Sequence, residues 1–294
     1  MAIRTVAVVA PGDMGHAVAD VLRRGGLRVV TCLSRRGPDS VARANRAGME
    51  ALPGFEAVVR EADAFLSILP PSEALNLARE VAVAIKAAGL PLLYVDCNAV
   101  SPTTAERIGA VIEASGGRFV DAAIIGGPPK PGTPGPRFYA SGAAAQDFAA
   151  LGGHGLDIRV IGEEIGQASA LKMCFAAIAK GVTALATEAL TAGRLLGVAE
   201  PLRAELASSV PALLDYATRA VPTMPPKAYR WIGEMEEIAQ TFAAVGLPPG
   251  MLQGAADVYR FVGESPLGRE RTEDRTHGKT LQDAVEGLAR TLRR

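Results

Sequence analysis

The chain has no excess charge of either sign: 31 basic and 31 acidic residues give a formal net charge of zero. Proteins that bind nucleic acid or acidic membrane surfaces draw affinity from surplus positive charge, so neither partner is expected. Cysteine is scarce. Cys32, Cys97 and Cys174 each lie in an apolar segment and none has metal-ligand spacing. They read as buried free thiols of a reducing compartment. The three histidines, His16, His154 and His277, form no metal or triad pattern. Without His-Glu-x-x-His or Cys-x-x-Cys, no metal is expected. No uncharged apolar stretch reaches the length of a membrane span, because Lys172 and Lys180 interrupt the best candidate. The first residues run straight into an apolar segment without signal-peptide features, so the expected location is the cytoplasm.

What the chain does have is a strand, a tight glycine turn and a helix at its start. Thr5-Val6-Ala7-Val8-Val9 is a short β-branched run that predicts a buried strand. Ala10-Pro11-Gly12-Asp13-Met14-Gly15 follows, and then a helical segment from His16 to Arg24. Free N–H groups at such a helix start receive a pyrophosphate, so Pro11, Gly12, Asp13, Met14 and Gly15 are candidate dinucleotide contacts. The fingerprint Gly-x-Gly-x-x-Gly has Ala10 in its first position here. Gly12 lets phosphates approach the backbone, and Gly15 lets the helix pack close to the strand. His16 is expected to line the turn or pack there.

With 294 residues, 49% of them hydrophobic, the chain is long enough for two globular domains. Residues 1–162 alternate strand and helix. Strands are expected at 5–9, 28–33, 64–69, 91–96, 118–123 and 159–161, with helices such as 72–88 and 103–115 between them. This alternation predicts an α/β fold, a doubly wound parallel sheet of the Rossmann type with ligands beyond the carboxyl ends of its strands. From residue 163 to 294 strands vanish. Residues 163–196 hold no proline and predict one long interdomain helix, roughly 50 Å at about 1.5 Å per residue. The remainder predicts an all-α second domain.

The second strand is followed by Ser34-Arg35-Arg36, where an NAD-binding turn places an acid for the ribose 2′-OH. A hydroxyl and two guanidiniums suit a 2′-phosphate, so NADP(H) is the expected cofactor. The other reading of Arg35 and Arg36 is a solvated loop pair. Further on, residues 168–179 are apolar on every face apart from Lys172, which predicts a buried helix. No carboxylate lies within a helical turn of Lys172, so burial is expected to lower its pKa. An amine that exchanges its proton near neutrality suits general acid–base chemistry at a substrate oxygen. The alternative is a lysine that snorkels to the surface.

These segments together resemble the β-hydroxyacid dehydrogenase family, which includes 3-hydroxyisobutyrate and 6-phosphogluconate dehydrogenases. Pro11-Gly12-Asp13-Met14-Gly15 resembles its cofactor turn, and Leu69-Pro70-Pro71 the Leu-Pro that lies along the cofactor. Asp96-Cys97-Asn98-Ala99-Val100-Ser101-Pro102 is similar to the segment beside the nicotinamide, with Asn98 at the serine position. Asp121-Ala122-Ala123-Ile124-Ile125-Gly126-Gly127 resembles the substrate motif, and Gly166 and Lys172 match the glycine and catalytic lysine of the interdomain helix. The resemblance implies a Rossmann domain, an all-α second domain and a homodimer built on the helices. It also implies a small-molecule substrate held by Asn98, Gly126, Gly127 and Lys172.

Departures from the family pattern fall at the substrate side. Ile125 replaces the motif serine, and Phe175 and Ala176 stand where the family has asparagine. Lys180, two turns beyond Lys172, reads either as a second cation or as the end of the buried stretch. Where the family has Lys-Asp, this chain offers Glu236-Glu237, so Glu237 is a candidate substrate contact. Glu234, Glu236 and Glu237 also fit a solvated helix face. The tail implies a branch of the family with its own C-terminal domain. The function expected is an NADP(H)-dependent oxidoreductase acting on a small hydroxy acid or related polar alcohol. The alternatives are an imine reductase-like enzyme, against which Lys172 speaks, and a non-catalytic NADPH-binding sensor.

Overall fold

The computed structural model describes residues 3–34, 36–130, 132–272 and 275–292. Its first elements are β1 (Thr5–Val9), α1 (Asp13–Arg24), β2 (Arg28–Cys32), α2 (Pro38–Arg46), β3 (Glu50–Leu52), α3 (Phe55–Glu61), β4 (Ala64–Ser67) and α4 (Pro71–Ala88). Then come β5 (Leu93–Asp96), α5 (Pro102–Glu113), β6 (Arg118–Ile125), β7 (Arg137–Ser141), α6 (Ala145–Ala149) and β8 (Asp157–Gly162). Helices alone follow: α7 (Gln167–Leu195), α8 (Ala199–Ser209), α9 (Pro211–Thr223), α10 (Ala228–Ala244), α11 (Gly250–Glu264) and α12 (Leu281–Leu292).

The strands form one eight-stranded sheet in the order β3-β2-β1-β4-β5-β6-β7-β8. The chain reverses direction across the sheet between β1 and β4, which makes the Rossmann crevice at their carboxyl ends. Both faces of β1 are buried because helices cover the sheet on both sides. Val6 and Val8 pack with Val18 and Leu22 of α1 on one face. Ala7 and Val9 pack on the other with Phe65, Tyr94 and, from α4, Leu77 and Val81. Each such aliphatic side chain contributes about 1.5–3 kcal/mol on full burial.

Two strands escape the sequence reading. β3 is three residues long, lies at the sheet edge and has no apolar run. β7 follows a loop with five prolines, and it pairs antiparallel with β6 from Asp121↔Ser141 to Ile125↔Arg137. The expected all-parallel sheet is therefore corrected to a mostly parallel one. A hairpin replaces a crossover because the loop between β6 and β7 is too short to carry a helix. Gly126 opens that loop at φ +128°, and an added Cβ would lie 3.0 Å from Pro136 Cα.

Two compact units are present, Met1–Met173 and Cys174–Arg294. The sequence places the boundary near Gly162, whereas this division falls inside α7. Hydrogen bonds from the first turn of α7 to β6 account for that position. The second unit is helical, with Leu190, Ala217, Val221, Ala284 and Val285 forming a small core. One correction concerns α7 itself. Ile178 is 70% exposed and Leu185 61%, and Cys174 is exposed, so the apolar helix is buried on one face only. Its outer apolar face is uncovered among the described residues of this unit.

Candidate functional site

The turn after β1 is built for an anion. Gly12 caps α1 without any side-chain hydrogen bond, so the first-turn N–H groups are not satisfied locally. A Cβ added at Gly12 would meet nothing within 4 Å, which leaves room for phosphates against the backbone. Gly15 is required for the opposite reason: a Cβ there would sit 2.0 Å from the Ala10 carbonyl oxygen. Pro11 is buried beneath the turn and Met14 half-buried. Asp13 is an acid in this setting, but Arg43 of α2 pairs with it at 3.2 Å. His16 Nδ1 lies 2.7 Å from the Gly12 carbonyl oxygen, so the ring packs against the turn. These features fit a dinucleotide pyrophosphate. Ser34 is exposed after β2, with its hydroxyl 3.3 Å from the Pro53 carbonyl. Arg36 is half-buried beside it, and Arg35 lies outside the described residues.

The turn after β4 is tied to its neighbours on both sides. Ala10 N–H donates to the Ile68 carbonyl at 2.9 Å, and Leu69 N–H donates to Asn98 Oδ1 at 2.7 Å. Asn98 Nδ2 donates to Ser67 Oγ at 2.8 Å and to Asp96 Oδ1 at 2.5 Å. Both amide hydrogens of Asn98 are thus committed to protein, and the side chain is 4% exposed. Asn98, the expected cofactor and substrate contact, has its side chain between the ends of β4 and β5, which it braces. Leu69 is half-buried, while Pro70 and Pro71 are exposed and start α4, where proline needs no N–H partner. Asp96 is fully buried, with Oδ2 unpaired among the described residues. Burial pushes its pKa up to about 7 against the Asn98 hydrogen bond, with the Asp121 charge adding to the rise.

Asp121 lies beside Asp96 on β6 and is also fully buried. Its carboxylate accepts from Ser169 Oγ at 2.7 Å, Ser169 N at 3.0 Å, Gly166 N at 3.0 Å and Ser141 Oγ at 3.2 Å. Burial pushes Asp121 above the usual carboxylate range, and these four bonds oppose the shift. The sequence reading missed this role, because the donors come from two segments remote from β6, Ser141 and residues 166–169.

One turn further along α7, Lys172 Nζ donates to the Ile124 carbonyl near the carboxyl end of β6. No ion pair forms at Lys172 among the described residues, and the side chain is half-buried, turned to the Ile124 carbonyl. Burial alone lowers its pKa to about 8. Gly126 and Gly127 follow Ile125 directly and are exposed, so their backbone N–H groups lie at the strand end over which Lys172 reaches. Thus Lys172, Gly126 and Gly127 share the end of β6. Asn98 and Leu69 join the ends of β5 and β4.

The remaining candidates belong to the helical unit. Lys180 pairs with Glu234 of α10, and its ammonium sits 5.2 Å from the Trp231 ring centroid. Trp231 meets Tyr259 edge-on at 5.2 Å, a packing role. Lys180 is therefore a neutralised cation, and Glu234 is an ion-pair partner. Glu237 is half-buried one turn beyond Glu234.

A buried amine without a counterion destabilises the fold while charged. Lys172→Met is expected to stabilise the protein at pH 7 by about 1–3 kcal/mol. Between about pH 8 and 10.4 the folded amine has released a proton that the unfolded amine still holds. Wild-type stability therefore rises with pH across that window, and the methionine variant lacks the rise. Urea unfolding at a series of pH values measures both; equal stability of the two proteins at pH 7 would contradict the burial.

Residues 5–152 match the NAD binding domain of 6-phosphogluconate dehydrogenase, and residues 194–262 match a domain of unknown function, DUF1932. An uncharacterized 28.5 kDa protein of Methanothermus fervidus is 30% identical over 176 residues, which is 60% of this chain and 66% of that protein. A conserved protein of unknown function, solved with structural similarity to 3-hydroxyacid dehydrogenases, is 32% identical with a TM-score of 0.72. That match covers 88% of this chain and 97% of the other. The Mycobacterium tuberculosis 3-hydroxyisobutyrate dehydrogenase, solved with L-serine, shares the fold over 100% of both chains at 21% identity and a TM-score of 0.75. The chain belongs to the β-hydroxyacid dehydrogenase family, as a branch that joins its NAD-binding Rossmann domain to a distinct helical C-terminal domain.

Proposed function

We propose that this protein is an NADP(H)-dependent oxidoreductase that interconverts the carbinol and carbonyl of a small hydroxy acid or related polar alcohol. Lys172 is its general acid in reduction and general base in oxidation. The observation that carries the reading is the half-buried, carboxylate-free Lys172 amine held at the end of β6. A bound nicotinamide supplies or accepts the hydride. Lys172 gives a proton to the developing alkoxide in reduction and removes it from the hydroxyl in oxidation. The exposed N–H groups of Gly126 and Gly127 donate to the substrate beside it. Asn98 holds the Leu69 turn in place and does not itself touch the substrate.

Reduction needs the charged amine. Its kcat/KM is expected to be flat below about pH 8 and to fall above it, while the oxidation profile rises through the same pH. Lys172→Ala removes the limb and cuts turnover by about 10² or more, with NADPH affinity retained. A panel of small keto acids, aldehydes and cyclic imines, followed by NADPH absorbance, provides the substrate. Unimpaired turnover in the alanine variant would overturn the assignment.

Ser34, Arg35 and Arg36 support a preference for the 2′-phosphate over a bare ribose. NADPH is expected to bind about tenfold or more tighter than NADH, and Arg36→Ala to erode that ratio through NADPH alone. Calorimetric titration of both cofactors measures it; equal affinities would remove the preference.

The outer face of α7 supports a homodimer. A groove of 990 Å³ lies between α7, α11 and Leu292, lined by Ile178, Leu185, Met251 and Phe261. By length and composition α7 is apolar enough to cross a membrane. Its first turn, however, is hydrogen-bonded to β6, and its inner face is buried in protein. A second copy covers an apolar ridge and an apolar groove at once by two-fold exchange. Sedimentation equilibrium is expected to give a dimer that Leu185→Asp weakens; a wild-type monomer at micromolar concentration would refute it.

A further inference from the structure

β6 and α7 are joined at two points one step apart. Asp121 binds Gly166 and Ser169, and three residues on along each element Ile124 binds Lys172. The first junction is unusual in its chemistry. The orphan N–H groups at the start of α7 are satisfied by groups remote in sequence: a carboxylate from β6 and a hydroxyl from β7. Ser141 Oγ donates to Asp121 and accepts from Ala168 N at 3.0 Å, so three N–H groups at the entry to α7, those of Gly166, Ala168 and Ser169, are held by two side chains of the sheet. All three side chains, Asp121, Ser141 and Ser169, are at most 1% exposed.

Such a junction fixes both the rotation and the axial position of the helix. Backbone N–H bonds alone fix the distance of the helix end from the strand. The Ser169 hydroxyl adds a bond on the face that also carries Lys172, since residues three apart share a face. A rotation of α7 would break the Ser169 Oγ bond and swing the lysine away from the Ile124 carbonyl.

We infer that Asp121, Ser141 and Ser169 form a positioning triad that aims the Lys172 amine at the end of β6. None of the three touches the reacting atoms. The geometric statement stands on these contacts; its catalytic consequence rests on the proposed role of Lys172. A variant that loosens the triad lets the amine reach water, and the titration of Lys172 then returns toward the ordinary lysine range.

The test reads Lys172 directly and needs no substrate. The chain has six lysines, so reductive ¹³C-dimethylation gives a small set of resonances, with Lys172 assigned by its loss in Lys172→Arg. In the intact protein the Lys172 midpoint is expected near pH 8. Ser169→Ala and Ser141→Ala, neither of which changes charge, are expected to raise it by about one unit or more toward about 10.4. Ser169→Thr keeps the hydroxyl and is expected to hold the midpoint. Thr31→Val removes a different buried hydroxyl bond of the same sheet, Thr31 Oγ1 to the Val8 carbonyl at 2.8 Å. It is expected to lower stability without moving Lys172. The triad is overturned if both alanine variants titrate like wild type, or if Thr31→Val shifts the midpoint as far as they do. Loss of the oxidoreductase reading would appear elsewhere, as the absence of turnover on any carbonyl compound with the Lys172 midpoint still near 8.

Discussion

A half-buried ammonium group without a carboxylate partner is the constraint on which the rest of this molecule turns. Surface lysines gain little from a partner and lose little without one. Lys172 differs because its surroundings penalise the charged form and offer one neutral carbonyl in return. The amine therefore sits near the balance point between its two protonation states. A group in that condition exchanges protons readily with an oxygen placed against it. The carboxylate that shares β6 with the Ile124 carbonyl, Asp121, is itself engaged by four hydrogen bonds.

Four strand ends on this edge of the sheet carry the candidate site residues. β1 ends in the glycine turn, β4 in the Leu69 turn and β5 in Asp96 and Asn98. Asn98 ties the last two together with three hydrogen bonds. β6 carries Asp121, Ile124 and the two glycines. These strand ends rest on a core rich in valine, alanine and phenylalanine. Rigid packing of that core is what lets a rim of single side chains keep its geometry.

Much of this was legible in the sequence because it is local. A β-branched run, Gly12, Gly15 and a helix lie within a few turns of one another, and the alternation that follows has few topologies open to it. The isolation of Lys172 is local too, since it needs only the absence of acids within a helical turn. What was not legible depends on long-range pairing. β7 was hidden because five prolines precede it and its partner is the strand before them. The amide of Asn98 looks like a ligand contact until Ser67 and Leu69 arrive from β4. Lys180 looked like a spare cation because Glu234 is distant in sequence. The exposed face of α7 departs from its composition: Ile178 and Leu185 are apolar yet lie at the surface, and the helical period alone does not say which apolar face a chain covers.

The glycine turn, the family membership and the helix that carries Lys172 meet in one geometric requirement, and a single structure measures it. Crystals grown with NADPH and a substrate-like carbonyl compound are expected to place Lys172 Nζ within about 2.6–3.2 Å of the carbonyl oxygen, with its carbon over the nicotinamide ring. If the bound ring lies beyond reach of the amine, or if the amine turns to bulk water when the cofactor is in place, the account is contradicted at its centre.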